Sequence, residues 1–295
     1  MALDQGITHE LGFGEVLSKT FELYRRNFAK YFVLYLVVEA IIGLVSTLAY
    51  RTFSLPTLPI NPTRDQIVNW APGFFGNLIL LVTAVGVVSI VFGTLAVGGT
   101  VRMASDEVEN RPVGLGSSLR FAASKLIWMW ALGILLAIII GLGFIALIVP
   151  GIILAIMFCL AFPALLIEDA GVIGSLGRSR ELVSHRWLKT FVVLLILVII
   201  VAIAAAIVSA ISAPFDGANN FVSSVLSAFY QPIIPISLTV YLYSNRARIS
   251  SAQTSQSSMG PAMMAPPGMK FCPNCGTQLE TSVTFCSKCG AKQPV

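Results

Sequence analysis

The chain has 295 residues, of which 56% are hydrophobic and only 11% are charged, and its formal net charge is +5. Soluble domains carry about 25% charged residues, so this chain has too few charges to cover the surface of a water-soluble globule. The composition excludes that class and predicts an integral membrane protein.

Six apolar runs along the chain predict six transmembrane helices, because one crossing needs about 20 apolar residues. The third and fourth runs are separated by Pro150 and Gly151, a pair that breaks a helix and turns the chain. We therefore expect a tight helical hairpin at that point. The predicted spans are residues 32–50, 78–101, 126–149, 152–167, 191–211 and 221–243.

The positions of the basic residues predict the orientation of the spans. Among the 19 Lys and Arg residues, only Arg51 and Arg64 fall in segments that six spans would place outside the cell. Positively charged residues flanking spans stay in the cytoplasm, so we expect a cell-membrane protein with both termini cytoplasmic. The flanking charges suit anionic lipid headgroups. We therefore attribute the excess of positive charge to contact with the lipid bilayer, and we do not expect nucleic-acid binding.

Two cytoplasmic segments resemble each other and indicate an internal repeat. Residues 17–28 read LSKTFELYRRNF and residues 176–187 read LGRSRELVSHRW. Residues 116–130 fit the same pattern more loosely. Each segment has the spacing of an amphipathic helix in the headgroup region, which predicts three units of one interfacial helix and a two-span hairpin. The alternative is that segments flanking membrane spans share this composition without being repeats.

Glu39 is the candidate functional residue within the predicted spans, since an ionisable group inside a membrane is costly. It either takes part in proton or cation movement or forms a local hydrogen bond. Pro163, Pro232 and Pro235 interrupt spans four and six. Such prolines either line a substrate pathway or produce simple kinks. Together these residues suggest a transporter or channel for a lipid or small solute as the alternative function.

Glu168 and Asp169 close the fourth span, where an acid can cap the next helix and interact with its dipole. A catalytic or cation-binding role would require further polar partners, and the sequence supplies no nearby His or second acidic pair. It also contains no phosphate-binding glycine loop and no HExxH motif. We therefore expect that the protein is not an enzyme.

The C-terminal region predicts a flexible linker followed by a small metal-binding domain. Residues 249–269 are rich in Ser, Gln, Pro, Gly and Met, which cannot build a core. Two Cys-x-x-Cys pairs then provide Cys272, Cys275, Cys286 and Cys289. Four thiolates at this spacing are typical of a Zn²⁺ site in a zinc ribbon, which we assign to residues 270–295. A redox dithiol is the alternative.

Zinc ribbons bind nucleic acid, bind protein or only stabilise a chain end. This one carries few basic or aromatic residues, which favours protein docking or a stabilising role over nucleic-acid binding. A ribbon of about 25 residues needs its metal to fold. With residues 1–248 as the membrane domain, the sequence favours a membrane scaffold or adaptor whose ribbon docks a cytoplasmic protein.

Residues 149–191, VPGIILAIMFCLAFPALLIEDAGVIGSLGRSRELVSHRWLKTF, are similar to part of a known membrane domain. The pattern resembles the six-span domain that precedes the catalytic domain of some glycerophosphoryl diester phosphodiesterases, and its stand-alone relatives. The N-terminal FGEVLSKTFELYRRNF resembles the start of such domains. This resemblance implies a six-span fold over residues 10–248. The phosphodiesterase barrel and its metal-binding acids are absent from this sequence, so the resemblance does not imply that activity.

Overall fold

The computed structural model describes residues 7–58, 60–184, 186–215, 218–257, 269–272, 277–280 and 282–292. The chain divides into two compact units, Met1–Ala247 and Arg248–Val295. The helices of the described residues are α1 (Phe13–Arg26), α2 (Phe28–Thr52), α3 (Arg64–Val108), α4 (Leu115–Ala146), α5 (Ile148–Met157), α6 (Ala161–Ile167), α7 (Gly171–Val183), α8 (Trp187–Ser212), α9 (Asn219–Ser227) and α10 (Ile233–Ser257), and the strands are β1 (Met269–Phe271) and β2 (Gln278–Glu280).

Five helical segments of the described chain are long and apolar enough to cross a membrane. Four are the single helices α2, α3, α4 and α8, and the fifth combines α5 and α6 over Ile148–Ile167. Large apolar side chains on these segments face outward, such as Ile145 at 83% exposed and Leu188 at 61%. Such a surface is stable in lipid and not in water. The protein is therefore a mainly helical, multi-pass membrane protein.

The sixth predicted span, 221–243, is not one continuous helix. Helix α9 ends at Ser227, turns occupy 228–232, and α10 begins at Ile233. Pro232 has no N–H to donate and disfavours helical backbone in the residue before it, which accounts for an interruption at this point. Helix α10 then continues to Ser257, so residues 249–257 are helical and not the start of a flexible linker. Residues 258–268 of the predicted linker lie outside the described residues.

The hairpin between spans three and four turns earlier than the sequence suggests. Leu147 adopts extended backbone with φ −167° and ψ 154°, and α5 begins at Ile148. Pro150 therefore lies in the first turn of α5, where a missing N–H removes no helical hydrogen bond. Gly151 allows α4 and α5 to pack closely, because a Cβ on this residue would lie 2.5 Å from Cγ of Phe144 in α4.

The two segments predicted to be repeats adopt the same local structure in α1 and α7. Lys19 pairs with Glu22 at 3.2 Å, and the matching Arg178 pairs with Glu181 at 2.8 Å. The equivalent leucines are both buried, as are the equivalent hydroxyl residues. The buried pairs are Leu23 with Leu182 and Thr20 with Ser179.

The middle unit of the predicted repeat differs from the other two. Helix α4 is continuous from Leu115 to Ala146, so no separate interfacial helix precedes the third span. Its buried face packs on α3 and α6 through a core that includes Val101, Met129, Leu132 and Leu165.

Helices α2 and α9 pack closely, and this packing brings the interrupted segment beside α2. A Cβ on Gly43 of α2 would lie 2.8 Å from the Cβ of Ser224 in α9. The rings of Phe32 in α2 and Phe229 in the turns after α9 are also in contact, with centroids 4.5 Å apart and planes tilted by 39°. The turns 228–232 therefore lie against the N-terminal half of α2, which carries Glu39.

Candidate functional site

The C-terminal unit contains two short hairpins that carry the cysteines. Strands β1 and β2 pair antiparallel, with Lys270 opposite Leu279. Within the first hairpin the N–H of Cys272 donates to the carbonyl of Thr277 at 2.9 Å. In the second, the N–H of Cys286 donates to the carbonyl of Ala291 at 2.9 Å. Cys272 and Cys286 thus make the same backbone hydrogen bond in their two hairpins, as expected for a zinc ribbon.

A glycine, Gly290, directly follows the second Cys-x-x-Cys pair and closes its turn. Gly290 has a φ of +71°, a conformation that side chains disfavour. Its N–H donates to the carbonyl of Cys286 at 2.9 Å, which folds the chain back over the pair. The first turn, with Cys275 and Gly276, lies outside the described residues.

Three of the four predicted metal ligands lie together. The sulfurs of Cys272, Cys286 and Cys289 all lie within 4.8 Å of one another, and the Cys272 and Cys289 sulfurs are 3.6 Å apart. A disulfide requires about 2.05 Å. A tetrahedral Zn²⁺ with Zn–S bonds of about 2.3 Å separates its sulfurs by about 3.8 Å. The thiol arrangement therefore fits a zinc ion and does not fit a disulfide.

In the described residues of the ribbon, the apolar core is very small. Cys272, Leu279 and Cys286 form the buried cluster, with Ala291 packed against it. A core of this size cannot offset the entropy lost on ordering the chain, so a bound metal has to supply folding free energy. On its surface, Phe285 is 58% exposed and Met269 is 42% exposed.

Glu39 lies beside the interruption of the sixth predicted span. Its carboxylate is 8% exposed and accepts a hydrogen bond from Nε2 of Gln231 at 3.1 Å. Gln231 immediately precedes Pro232 in the turns between α9 and α10. The structure therefore brings together two features that the sequence shows 192 positions apart.

The other two prolines lie at helix starts. Pro163 is in the first turn of α6, and Pro235 is in the first turn of α10. A proline in the first turn breaks no helical hydrogen bond. These two residues therefore mark where helices begin, and they do not kink a continuous span.

The capping role predicted for the acids after the fourth span is wrong. The residue that precedes α7 is Ala170, which makes no side-chain cap. Glu168 instead binds Arg178 with both carboxylate oxygens, at 2.5 Å from Nε and 3.2 Å from Nη2. This hydrogen bonding raises the pKa of Arg178 above its ordinary value. Asp169 pairs with Lys125 at 2.5 Å and is mostly exposed.

A buried acidic cluster at the end of α3 was not recognised in the sequence. Asp106 and Glu107 are 6% and 7% exposed. Arg102 and Arg111 pair with Asp106 at 3.3 and 3.0 Å, and Arg26 lies 3.8 Å from Glu107. The spacing of residues 102 and 106 is a helical i,i+4 pair, which the sequence alone could have indicated. The cluster ties the ends of α1 and α3 together.

Comparison with known families supports two parts of this description. Residues 75–246, more than half of the chain, match the model of the uncharacterised protein family UPF0259. Residues 271–293 match the zinc-ribbon domain, in agreement with the strand pairing and the cysteine cluster. Curated proteins give no match, and solved structures give none either.

Proposed function

The chain belongs to the uncharacterised protein family UPF0259, and we propose that it is a non-enzymatic membrane scaffold or adaptor whose cytoplasmic zinc ribbon docks a protein partner. In this proposal Cys272, Cys275, Cys286 and Cys289 hold one Zn²⁺, and the ion organises the ribbon without entering any reaction. The membrane helices anchor the chain in the lipid bilayer. Nucleic acid is not a partner in this proposal.

The observation that carries the proposal is the position of Phe285. This aromatic ring is 58% exposed on a domain whose described residues form a core of little more than two cysteines and a leucine. Its backbone pairs with Lys292 and it directly precedes the metal-ligand candidate Cys286, so the metal fixes its position. Exposed aromatic residues on rigid supports are favoured as anchors in protein interfaces.

The cytoplasmic location of the ribbon rests on counting α9 and the first part of α10 as one interrupted sixth span. Neither helix is long and apolar enough alone, since α9 has nine residues and α10 becomes polar beyond Tyr243. An interrupted helix is tolerated within a membrane where it is buried against protein. At this interruption Ala228 and Pro232 are buried, and α9 packs closely on α2. In this proposal six crossings put both termini on one side of the membrane, and the basic flanks favour the cytoplasmic side.

The resemblance to the membrane domain of glycerophosphoryl diester phosphodiesterases supports only the six-span fold in this proposal. The matched α1 and α7 support a repeated architecture in which an interfacial helix precedes a hairpin. The continuous α4 is a departure from that pattern in the middle unit.

In-cell crosslinking tests the adaptor function. The full-length protein with an N-terminal affinity tag would be crosslinked, purified and analysed by quantitative mass spectrometry. We expect a defined partner with the wild type and with Cys159→Ser, which leaves the ribbon intact. Phe285→Ala should reduce recovery of the partner about fivefold or more, as for an interface anchor. Cys286→Ser should abolish it. Equal recovery with all four proteins would overturn the proposal.

A second candidate function is movement of a lipid across the bilayer, and the Glu39–Gln231 hydrogen bond favours it. Broken helices with a polar side chain at the break are typical of transporter sites. Three clefts in the described part of the membrane unit are lined by other residues, and Glu39 lines none of the three. The support for this candidate is therefore the hydrogen bond at the helix break and not one of these three clefts.

Liposome reconstitution separates the two candidates. The readout is flip-flop of a fluorescent phosphatidylcholine, measured by quenching of the outer leaflet. Lipid movement predicts transfer by the wild type and by a chain ending at Ser257, and a loss with Glu39→Gln. The adaptor function predicts no protein-dependent transfer with any of the three proteins.

A further inference from the structure

An apolar cleft lies where α5, α7 and the start of α8 meet in the membrane unit. Its volume is about 250 Å³, and its walls are mainly apolar side chains of α5 and α7. These are Ile153, Ile156, Met157 and Val183. Ile153 is 47% exposed, whereas Ile156 is 4% exposed, so the cleft runs from the outer surface of the bundle toward its core.

The polar residues that line the same cleft are Arg180 and Ser184. Arg180 is exposed and forms no ion pair within the part of the chain that the structure describes. Neighbouring cations differ in this respect. Arg178 binds Glu168, and both Arg186 and Lys189 bind Glu10. Arg180 therefore offers a positive charge to a ligand from outside the chain.

Trp187 lines the cleft as the first residue of α8 and is 56% exposed. It stands at the boundary between a basic segment and α8, a helix that is long and apolar enough to cross a membrane. Tryptophan is enriched at this level of a membrane, where its ring contacts the headgroups. The cleft thus has an apolar wall, a cation and an interfacial aromatic ring, which are the features that an acyl chain and an anionic headgroup contact.

We propose that this cleft binds one anionic phospholipid, with an acyl chain along α5 and the phosphate against Arg180. A lipid is the occupant that these surfaces fit, because the exposed apolar face of α8 beside the cleft is itself in lipid. The unpaired charge favours binding of anionic over neutral headgroups by about 1 kcal/mol, which corresponds to about a fivefold difference in affinity. This proposal does not depend on the adaptor function or on which leaflet is involved.

Native mass spectrometry of the full-length protein tests it. The protein in detergent would be titrated with dioleoylphosphatidylglycerol against a dioleoylphosphatidylcholine background. Arg180→Gln should lower the affinity for phosphatidylglycerol about fivefold. The matched control is Arg120→Gln, because Arg120 is also exposed and forms no ion pair in the described residues, and it should change little. Ile153→Trp, which fills the exposed end of the cleft, should displace the bound lipid while leaving the thermal midpoint unchanged.

Three results would overturn the proposal. Equal effects of Arg180→Gln and Arg120→Gln would mean diffuse charge attraction only. Unchanged lipid binding in Ile153→Trp would mean that the acyl chain lies elsewhere. A change of oligomeric state in Ile153→Trp, without any preference for phosphatidylglycerol in the wild type, would make the cleft an interface between copies of this chain.

Discussion

The sulfur of Cys272 lies 3.6 Å from the sulfur of Cys289, although the two residues are 17 positions apart in the chain. The separation is too long for a disulfide bond and close to the sulfur–sulfur distance in a zinc ion bound by four thiolates. It arises because each cysteine belongs to a different hairpin and the two hairpins face each other. The ribbon is thus arranged around a point that a metal can occupy.

The first prediction concerns metal content. Purified wild type should contain about one zinc ion per chain by elemental mass spectrometry, and Cys286→Ser should lose it, because a ligand and most of the ribbon core disappear together. Cys159→Ser is the matched control, since Cys159 lies between α5 and α6. It should retain the metal. Zinc retained in Cys286→Ser at the wild-type level would contradict the assignment.

Acidification should release the zinc. Thiolates bind the metal and thiols do not, and a free cysteine has a pKa of about 8.5. Lowering the pH therefore favours the protonated, metal-free ribbon, and raising it toward neutrality favours the bound form. A chromogenic chelator added to the protein at decreasing pH would follow the release. Metal release that increases with pH would be inconsistent with thiolate ligands.

Glu168→Gln should destabilise the membrane unit by about 1.5–3 kcal/mol, because it weakens a two-point charged hydrogen bond to Arg178 that is largely shielded from solvent. The neighbouring Asp169→Asn should cost less than about 1 kcal/mol, since the pair with Lys125 is exposed. Thermal unfolding in detergent compares the two. Equal losses in both variants would show that burial of the Arg178 pair has no energetic consequence.

Gly151→Ala should destabilise the α4–α5 hairpin by about 1–3 kcal/mol, the usual cost of overpacking. The added Cβ would lie 2.5 Å from Cγ of Phe144, an atom too close to the backbone to move freely. Gly141→Ala is the control, because a Cβ there meets nothing within 4 Å. Unfolding midpoints measured together should fall only for the first variant. A similar midpoint for both would refute the close approach.

The ribbon and the first interfacial helix follow from the sequence because their determinants are local. Two residues separate the cysteines of each pair, a spacing that lets both thiolates bind one metal ion. Lys19 and Glu22 are three positions apart, which brings them together on one face of α1. The position of the α4–α5 turn is less local. It depends on Gly151 approaching Phe144 across the hairpin, a contact that no dipeptide signal contains.

The residues around Glu39 and Glu168 could not be assigned from the sequence for a similar reason. Gln231 is 192 positions from Glu39, and Arg178 competes with a cap for Glu168 only once α7 packs beside α6. A charged side chain forms its strongest ion pair or hydrogen bond with a group that the fold brings close to it. Sequence spacing identified these residues as unusual and left their partners open.

The location of the two termini tests the central claim most directly. Alkaline phosphatase, active only outside the cytoplasm, and a fluorescent protein that folds only inside it would each be fused before residue 1, after Val295, and between Thr57 and Leu58 of the α2–α3 loop. Six crossings predict fluorescence at both termini and phosphatase activity only in the loop. Phosphatase activity at the C-terminus would place the zinc ribbon outside the cell and contradict the role proposed for it in docking a cytoplasmic protein.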